Sequence, residues 1–136
     1  MGMKIRNVGG YGIKIRDNVK EKPGYGVDPS RPSENRGIHV EGCEIDTTGA
    51  GGIFLAAQDS TISRNLVQHA GVVFSAANGI LENGDRNKVI HNEIIDVPYC
   101  GINARWGRRS NTTTYVIVCS CFKTGEESRQ FSLKIL

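Results

Sequence analysis

A short Gly-Ile motif recurs along the chain and constrains the fold more than any other feature of the sequence. In three places a further isoleucine lies eight residues before the motif isoleucine, as Ile45 does before Ile53. Self-similarity at a spacing of a few tens of residues is the signature of a repeat protein. The copies of the motif are "GIKI" (12–15), "GIHV" (37–40), "GIFL" (52–55), "GILE" (79–82) and "GINA" (101–104).

A second pattern assigns each copy to a place in the repeat. "TISRNLV" (61–67) and "KVIHNEI" (88–94) align without a gap, and this alignment puts Asn65 opposite Asn92. "HVEGCEI" (39–45) aligns with both, with Cys43 in the asparagine place, so "GIHV" belongs to the second strand of a unit. The unit therefore reads as a short strand, a turn, a second short strand, an asparagine-centred bend and a third short strand. The first strands are marked by Ile13, Ile53, Ile80 and Ile102.

Three strands of a few residues each cannot enclose a core within one unit, but stacked units can. Each strand would pair in parallel with its counterpart in the next unit, about 4.8 Å away, and the inward side chains would form continuous ladders. The pattern predicts an all-β parallel β-helix of about three to four coils with incomplete capping. We expect Asn65 and Asn92 to turn the chain in a left-handed conformation and to bond along the stack.

Three longer segments, "NLVQHAG", "IHNEIIDVPYCGI" and "GCEIDTTGAGGIFL", carry a resemblance to a known group. They are similar to right-handed parallel β-helix repeat proteins of the pectate-lyase-like superfamily, and the resemblance covers roughly residues 3–106. It implies a right-handed solenoid, a polysaccharide or oligosaccharide as the partner, and a secreted or periplasmic location. The group contains lyases, glycoside hydrolases, epimerases and chains without known activity, so the resemblance does not imply one reaction.

The repeat pattern covers the longer N-terminal part of the chain but not the C-terminal part. Residues 1–106 are predicted to form the coils, interrupted by a polar surface loop at 16–36, and residues 107–136 form an atypical tail. In the tail, Thr112–Val118 and Ser132–Leu136 have strand character, and the tail is either a cap or unrelated sequence. We therefore expect a fragment of a longer solenoid. The segment 69–78 is predicted to fold over the wall and cover Phe54 and Leu81.

Composition excludes several classes of function. The chain has 17 Lys and Arg against 14 Asp and Glu, a net charge of +3 that gives no footprint for nucleic acid or an anionic membrane. No apolar run approaches the roughly 20 residues that span a bilayer, and no signal peptide is visible at the N-terminus. Of the four cysteines, Cys119 and Cys121 form C-x-C without a second pair at zinc spacing. We expect no metal and no cofactor.

Candidate site residues lie on and beside the outer face of the first strands. Lys14, Phe54, Leu81 and Asn103 are the outward positions of that face. A lyase needs a base and a cation that neutralises the substrate carboxylate, whereas a hydrolase needs two carboxylates about 5–9.5 Å apart. The catalytic candidates are Asp59, Asp85, Arg86 and His69. The candidates for substrate binding are Lys14, Phe54, Asn103, Arg105 and Tyr99.

None of these residues forms a recognised catalytic motif, so the sequence favours a binding role. The leading interpretation is a fragment or module of a polysaccharide-processing β-helix protein, without a complete active site. One alternative is a structural or adhesive module that self-associates through open coil ends, and another is a small polysaccharide lyase. Glu82 aligns with the inward Leu55, and we expect the strand to end at Leu81 so that Glu82 turns outward.

Overall fold

The chain folds into short strands that pair almost entirely in parallel. The structure is a computed structural model that describes residues 2–16 and 34–105, together with the strands at 115–117, 120–122 and 131–132. Within these residues there is no helix, and 60–68 and 88–96 contain strands as predicted. The strands are β1 (Lys4–Val8), β2 (Ile13–Ile15), β3 (His39–Glu41), β4 (Glu44–Thr48), β5 (Ile53–Ala56), β6 (Thr61–Ser63), β7 (Leu66–Ala70), β8 (Asn78–Asn83), β9 (Lys88–Ile90), β10 (Glu93–Ile95), β11 (Cys100–Arg105), β12 (Tyr115–Ile117), β13 (Ser120–Phe122) and β14 (Phe131–Ser132).

From β1 to β13 every third strand belongs to the same sheet, and β14 joins the sheet of β13. The sheet orders are β1-β4-β7-β10-β13-β14, β2-β5-β8-β11 and β3-β6-β9-β12, and all neighbours pair in parallel except β13 and β14. The Gly-Ile strands stack in the predicted register, because Ile53 pairs with both Ile13 and Ile80, and Ile80 pairs with Ile102. The unequal spacings of the motif are therefore absorbed between the strands and leave the register unchanged.

The core consists of apolar ladders that run through the three sheets. In one ladder Ile45 pairs with Val67 and Val67 pairs with Ile94, and all three side chains are fully buried. Ile62 and Val89 form the corresponding buried pair in another sheet. Each strand is too short to bury much apolar area alone, so its stability comes from the rungs on either side of it.

Buried asparagine side chains connect successive units at the bend before the third strand. The Oδ1 atom of Asn92 accepts hydrogen bonds at 3.0 Å from both the backbone N–H and the side-chain amide of Asn65. Asn65 Oδ1 in turn accepts the backbone N–H of Cys43 at 2.9 Å, and its amide donates to the carbonyl of Val40 at 3.0 Å. The predicted bonding of the two asparagines along the stack is confirmed.

The left-handed residue at this bend is not the asparagine, as we had expected, but the residue before it. Arg64 and His91 both have φ of 53°, and Gly42 has φ of 65° in the same place of the previous unit. Two other columns of left-handed residues mark the other bends. They are Gly37, Asp59 and Arg86 after the first strand, and Asn7, Thr47, His69 and Asp96 in and after the third strand. The asparagine side chains are thereby free to point inward, where they bond to backbone groups.

The expectation for Glu82 is wrong. The strand β8 continues to Asn83, and Glu82 is fully buried in register with Leu55 and Ala104. Its Oε1 atom accepts a hydrogen bond from the amide of Asn87, which also donates to the carbonyl of Ala57 at 2.8 Å. A buried carboxylate is costly unless it is hydrogen-bonded, and Asn87 supplies a buried donor.

Strands of the tail continue two of the sheets. β12 pairs in parallel with β9, and β13 pairs in parallel with β10, so that Ile94 is the partner of Cys121. β14 then pairs with β13 in the antiparallel direction. Of the two segments predicted to have strand character, Tyr115–Ile117 and Ser132 are strand residues, and the remainder of both lies outside the described residues. Most of the predicted loop at 16–36 lies outside the described residues, although Arg36 forms a parallel bridge with Gln58.

Replacement of Asn65 by Asp tests the asparagine ladder. The variant keeps the acceptor for Cys43 but loses both side-chain amide hydrogen bonds, and it places a second acceptor oxygen beside Asn92 Oδ1. We expect the free energy of unfolding, measured by urea denaturation, to fall by about 2–4 kcal/mol. Asn103→Asp is the matched control, because Asn103 is only partly buried and its amide bond to Asn78 is long, at 3.4 Å. Equal losses in the two variants would contradict a special role of the ladder.

Candidate functional site

The outer face of the β2-β5-β8-β11 sheet presents one continuous row of side chains. Lys14 is the register partner of Phe54, Phe54 of Leu81, and Leu81 of Asn103. Leu81 is buried, Phe54 and Asn103 are partly buried, and Lys14 is exposed. The row therefore has an exposed cation at one end, a partly buried amide at the other, and an apolar centre in which Phe54 is partly exposed and Leu81 is buried.

Tyr11 extends this row and was missed by the sequence analysis. Its ring centroid lies 5.7 Å from that of Phe54 at an interplanar angle of 54°, a tilted arrangement that aromatic pairs favour. The signal that could have identified it is Gly51. A Cβ atom there would lie 2.5 Å from Cε1 of Tyr11, so the missing side chain of Gly51 makes room for the ring.

The ammonium group of Lys14 lies over both aromatic rings. Its Nζ atom is 5.5 Å from the ring centroid of Tyr11 and 5.9 Å from that of Phe54. Both distances fall within the range of a cation–π contact. Tyr11, Lys14 and Phe54 thus form one cluster, called here the aromatic platform.

The segment between β7 and β8 is fastened to the turn after β4. The backbone N–H groups of Gly71 and Val72 donate to the carbonyl of Thr48, and those of Val73 and Phe74 donate to the carbonyl of Gly49. The side chains of Val72, Val73 and Phe74 remain 57–69% exposed. The described ring contact of Phe54 is with Tyr11, so the predicted cover of Phe54 by this segment stays a prediction.

One group of catalytic candidates lies at the turn that follows the first strands. Arg86 holds both carboxylate oxygens of Asp59, at 2.6 Å through Nε and 2.8 Å through a terminal nitrogen. Arg36 lies 3.7 Å from the same carboxylate. The hydrogen bond from Arg86 lowers the pKa of Asp59 below its ordinary value, since it favours the ionised form. Asp59 is therefore suited to an ion pair rather than to proton donation.

Asp85 occupies the neighbouring position of this turn. Its backbone carbonyl accepts a hydrogen bond from the N–H of Asp59 at 3.0 Å, and its Oδ1 atom is buried without a hydrogen bond. The register aligns Asp59 with Arg86 because Thr61 pairs with Lys88, so the two carboxylates are not stacked on each other. A hydrolase would need one of these groups as an acid and the other as a base or nucleophile. Asp59 instead forms an ion pair with Arg86, which is neither of these roles.

His69 lies on the other side of the first strands, in β7 of the adjacent sheet. Its Nδ1 atom is 2.9 Å from Oδ1 of Asp46, which also accepts a hydrogen bond from the hydroxyl of Thr47 at 3.0 Å. The hydrogen bond with His69 is the main reason why the pKa of Asp46 is lowered. Strands of four to six residues separate this side from the Asp59 side, a distance of about 13–20 Å along the chain direction. The four catalytic candidates therefore do not meet at one point.

The other two substrate-binding candidates lie at the two ends of β11. Tyr99 immediately precedes the strand and its side chain is 69% exposed. Arg105 is the last residue of the strand, and its side chain lies outside the described part of the chain. Tyr99 and Tyr11 therefore lie at the same end of the sheet's strands, because Tyr99 precedes β11 and Tyr11 precedes β2.

Three of the catalytic candidates have a left-handed backbone, namely Asp59, Arg86 and His69. Left-handed residues other than glycine sometimes mark functional sites. Here the same conformation recurs at Arg64 and His91, which belong to no candidate site. The conformation therefore follows from the bends of the repeat and does not identify a catalytic centre.

The described part of the chain contains no group of three His, Cys, Asp or Glu side chains that could hold a metal ion. No helix long and apolar enough to cross a membrane occurs among the described residues. Comparisons of the chain with protein-family models, with curated proteins and with solved structures gave no match.

Stability should fall in acid because three carboxyl groups have lowered pKa values. They are Glu44, paired with Lys4 and Arg6, and the residues Asp46 and Asp59. The folded pKa values lie below the ordinary values of 4.5 for Glu and 3.8 for Asp, so the unfolded chain binds more protons there. The contribution is complete above these ordinary values and is lost as the pH falls through the folded values.

Urea denaturation at a series of pH values measures this dependence. Asp59→Asn should make the acid slope of the unfolding free energy shallower than in the wild type. Salt at about 1 M should reduce the wild-type slope as well, since exposed pairs are screened when the Debye length is roughly 3 Å. An acid slope that Asp59→Asn leaves unaltered would show that the ion pair with Arg86 does not persist in solution.

Proposed function

We propose that the chain is a module of a right-handed parallel β-helix that binds an oligosaccharide on the outer face of the β2-β5-β8-β11 sheet and lacks a complete catalytic centre. The chain visits three parallel sheets in the same order and advances by one strand in each circuit. A path of this kind is expected of a solenoid. Connections between parallel strands of one sheet are right-handed in almost all proteins, which supports the handedness.

The aromatic platform is the observation that carries the binding proposal. Aromatic side chains present large apolar faces at low conformational cost, and they recur at binding surfaces for this reason. A sugar ring has one apolar face and a rim of hydroxyls, so it can pack against Tyr11 and Phe54. The amide of Asn103 offers a hydrogen-bonding partner further along the row. Four strands make the face about 15 Å tall, which is room for three or four sugar units.

The contacts that the catalytic candidates make support the second part of the proposal, that the chain lacks a complete catalytic centre. Asp59 is ion-paired with Arg86 on one side of the face, and His69 is hydrogen-bonded to Asp46 on the other side, in the adjacent sheet. Cleavage requires an acid and a base on the two sides of one scissile bond. Two polar groups at opposite edges of the face are better suited to framing a ligand than to cutting it.

Binding should depend on the rings of the platform. We expect Phe54→Ala and Tyr11→Ala each to weaken oligosaccharide binding by about tenfold, because each removes one stacking surface. Calorimetric titration with a panel of neutral and uronate oligosaccharides measures the effect. Phe74→Ala is the matched control, since Phe74 is an exposed aromatic residue outside the platform. The proposal fails if the wild type binds no member of the panel, or if only Phe74→Ala abolishes binding.

The isolated chain should show weak or no turnover. We expect neither unsaturated products nor new reducing ends to accumulate with the same panel of polysaccharides. Any residual activity should be lost on alanine substitution of Asp59, Asp85, Arg86 or His69, which border the face. Robust turnover that survives alanine at all four positions would contradict both the absence of a catalytic centre and the choice of candidates.

A further inference from the structure

One corner of the fold, outside the aromatic platform, carries most of the large apolar side chains that face solvent. Of the five exposed large hydrophobic residues in the described part of the chain, four lie between the third strand of one unit and the first strand of the next. They are Val72, Val73 and Phe74, between β7 and β8, and Tyr99, between β10 and β11. These four residues are called here the corner patch. Such concentration of exposed apolar surface marks an interaction site more often than scattered single residues do.

The backbone holds the corner patch outward in a defined conformation. The N–H groups of residues 71–74 are all bonded to carbonyls of the turn after β4. A Cβ atom at Gly71 would lie 2.7 Å from atoms of both Ala77 and Pro98, so Pro98 packs against this segment and brings Tyr99 beside it. Because these contacts are made by the backbone and by small or buried residues, the exposed side chains are not needed to hold the segment in place.

The chemistry of the corner patch favours a lipid surface over a protein partner. Residues 70–81 and 97–104 carry no charged side chain, so no charge of these segments has to be desolvated when the patch is buried. The patch exposes roughly 500 Å², whereas a stable protein interface takes about 800 Å² from each partner. A bilayer adapts to a small projecting apolar turn, and tyrosine is enriched at the level of the lipid headgroups.

We propose that the corner patch inserts into the interface of a lipid bilayer, with Val72, Val73 and Phe74 at the boundary of the acyl chains and Tyr99 among the headgroups. The contact is apolar and does not depend on the net charge of +3, which is too small to attract an anionic membrane. The inference is independent of the proposed oligosaccharide binding, because the corner patch shares no residue with the aromatic platform.

Co-sedimentation of the chain with vesicles of phosphatidylcholine, a zwitterionic lipid, tests this inference. We expect the wild type to bind at physiological salt and equally at about 1 M salt, where electrostatic attraction is screened. Phe74→Ser should weaken the partition into vesicles by about ten- to a hundredfold, because it removes the largest apolar side chain of residues 72–74. Met3→Ser is the matched control and should leave the partition unchanged, since Met3 is the exposed large hydrophobic residue outside the patch.

Other outcomes would overturn the inference in distinguishable ways. If the wild type ignores neutral vesicles, or binds only vesicles that contain anionic lipid and is released by salt, the patch does not insert into lipid. If Phe74→Ser binds neutral vesicles as well as the wild type does, another surface makes the contact. Sedimentation without lipid supplies the last comparison. If the wild type self-associates there, Phe74→Ser abolishes the self-association and neither protein binds vesicles, the patch is covered by a second copy of the chain instead.

Discussion

The hydrogen bonds between each strand and its counterpart in the next unit are the interaction on which the rest of the structure depends. No strand among the described residues exceeds six residues, so none could hold its conformation without the strands on either side. The buried amides of Asn65 and Asn92 add a second line of bonds parallel to the first. These side chains bond to backbone groups at and before the bend, and they thereby oppose a register shift that would expose the ladders.

A fixed register is also what creates the proposed binding face. Since Lys14, Phe54, Leu81 and Asn103 occupy one register position of four strands, they form a row although 89 residues separate the first from the last in the sequence. Gly51 shows how closely the residues of this face pack against one another. Its Cβ position is filled by the ring of Tyr11, and this brings the ring within contact distance of Phe54.

Much of the fold could be predicted from the sequence because the repeat is local and redundant. The Gly-Ile strands and the asparagine bend each recur, so the assignment of one copy can be tested against the next copy in the alignment. Features that depend on a single unit were harder to predict. Glu82 lies within β8 and is stabilised inside by Asn87, five residues later, which alternation alone does not reveal. The left-handed residue was assigned one position late, because asparagine tolerates that conformation while Arg64 and His91 gave no signal.

The candidate site was predictable in part for the same reason. The outer row follows from strand alternation once the register is known. The contacts at its edges do not, because Tyr11 precedes its strand and the partners of Asp59 and His69 come from neighbouring units. Side chains in bends have many conformations that sequence does not distinguish, and their ion pairs appear only when the stack places them together.

The side chain of Asn35 makes a contact at the base of the inserted segment. Its amide donates to the carbonyl of Arg16 and to that of Ala56, both at 3.0 Å, and so joins the two ends of the insertion to the neighbouring unit. Because this junction ties Asn35 to Arg16 and Ala56, we expect the register of β2 and β3 to tolerate changes in the length and composition of the segment between residues 16 and 35. In protein engineering terms, we expect this junction to serve as a grafting site for foreign peptides.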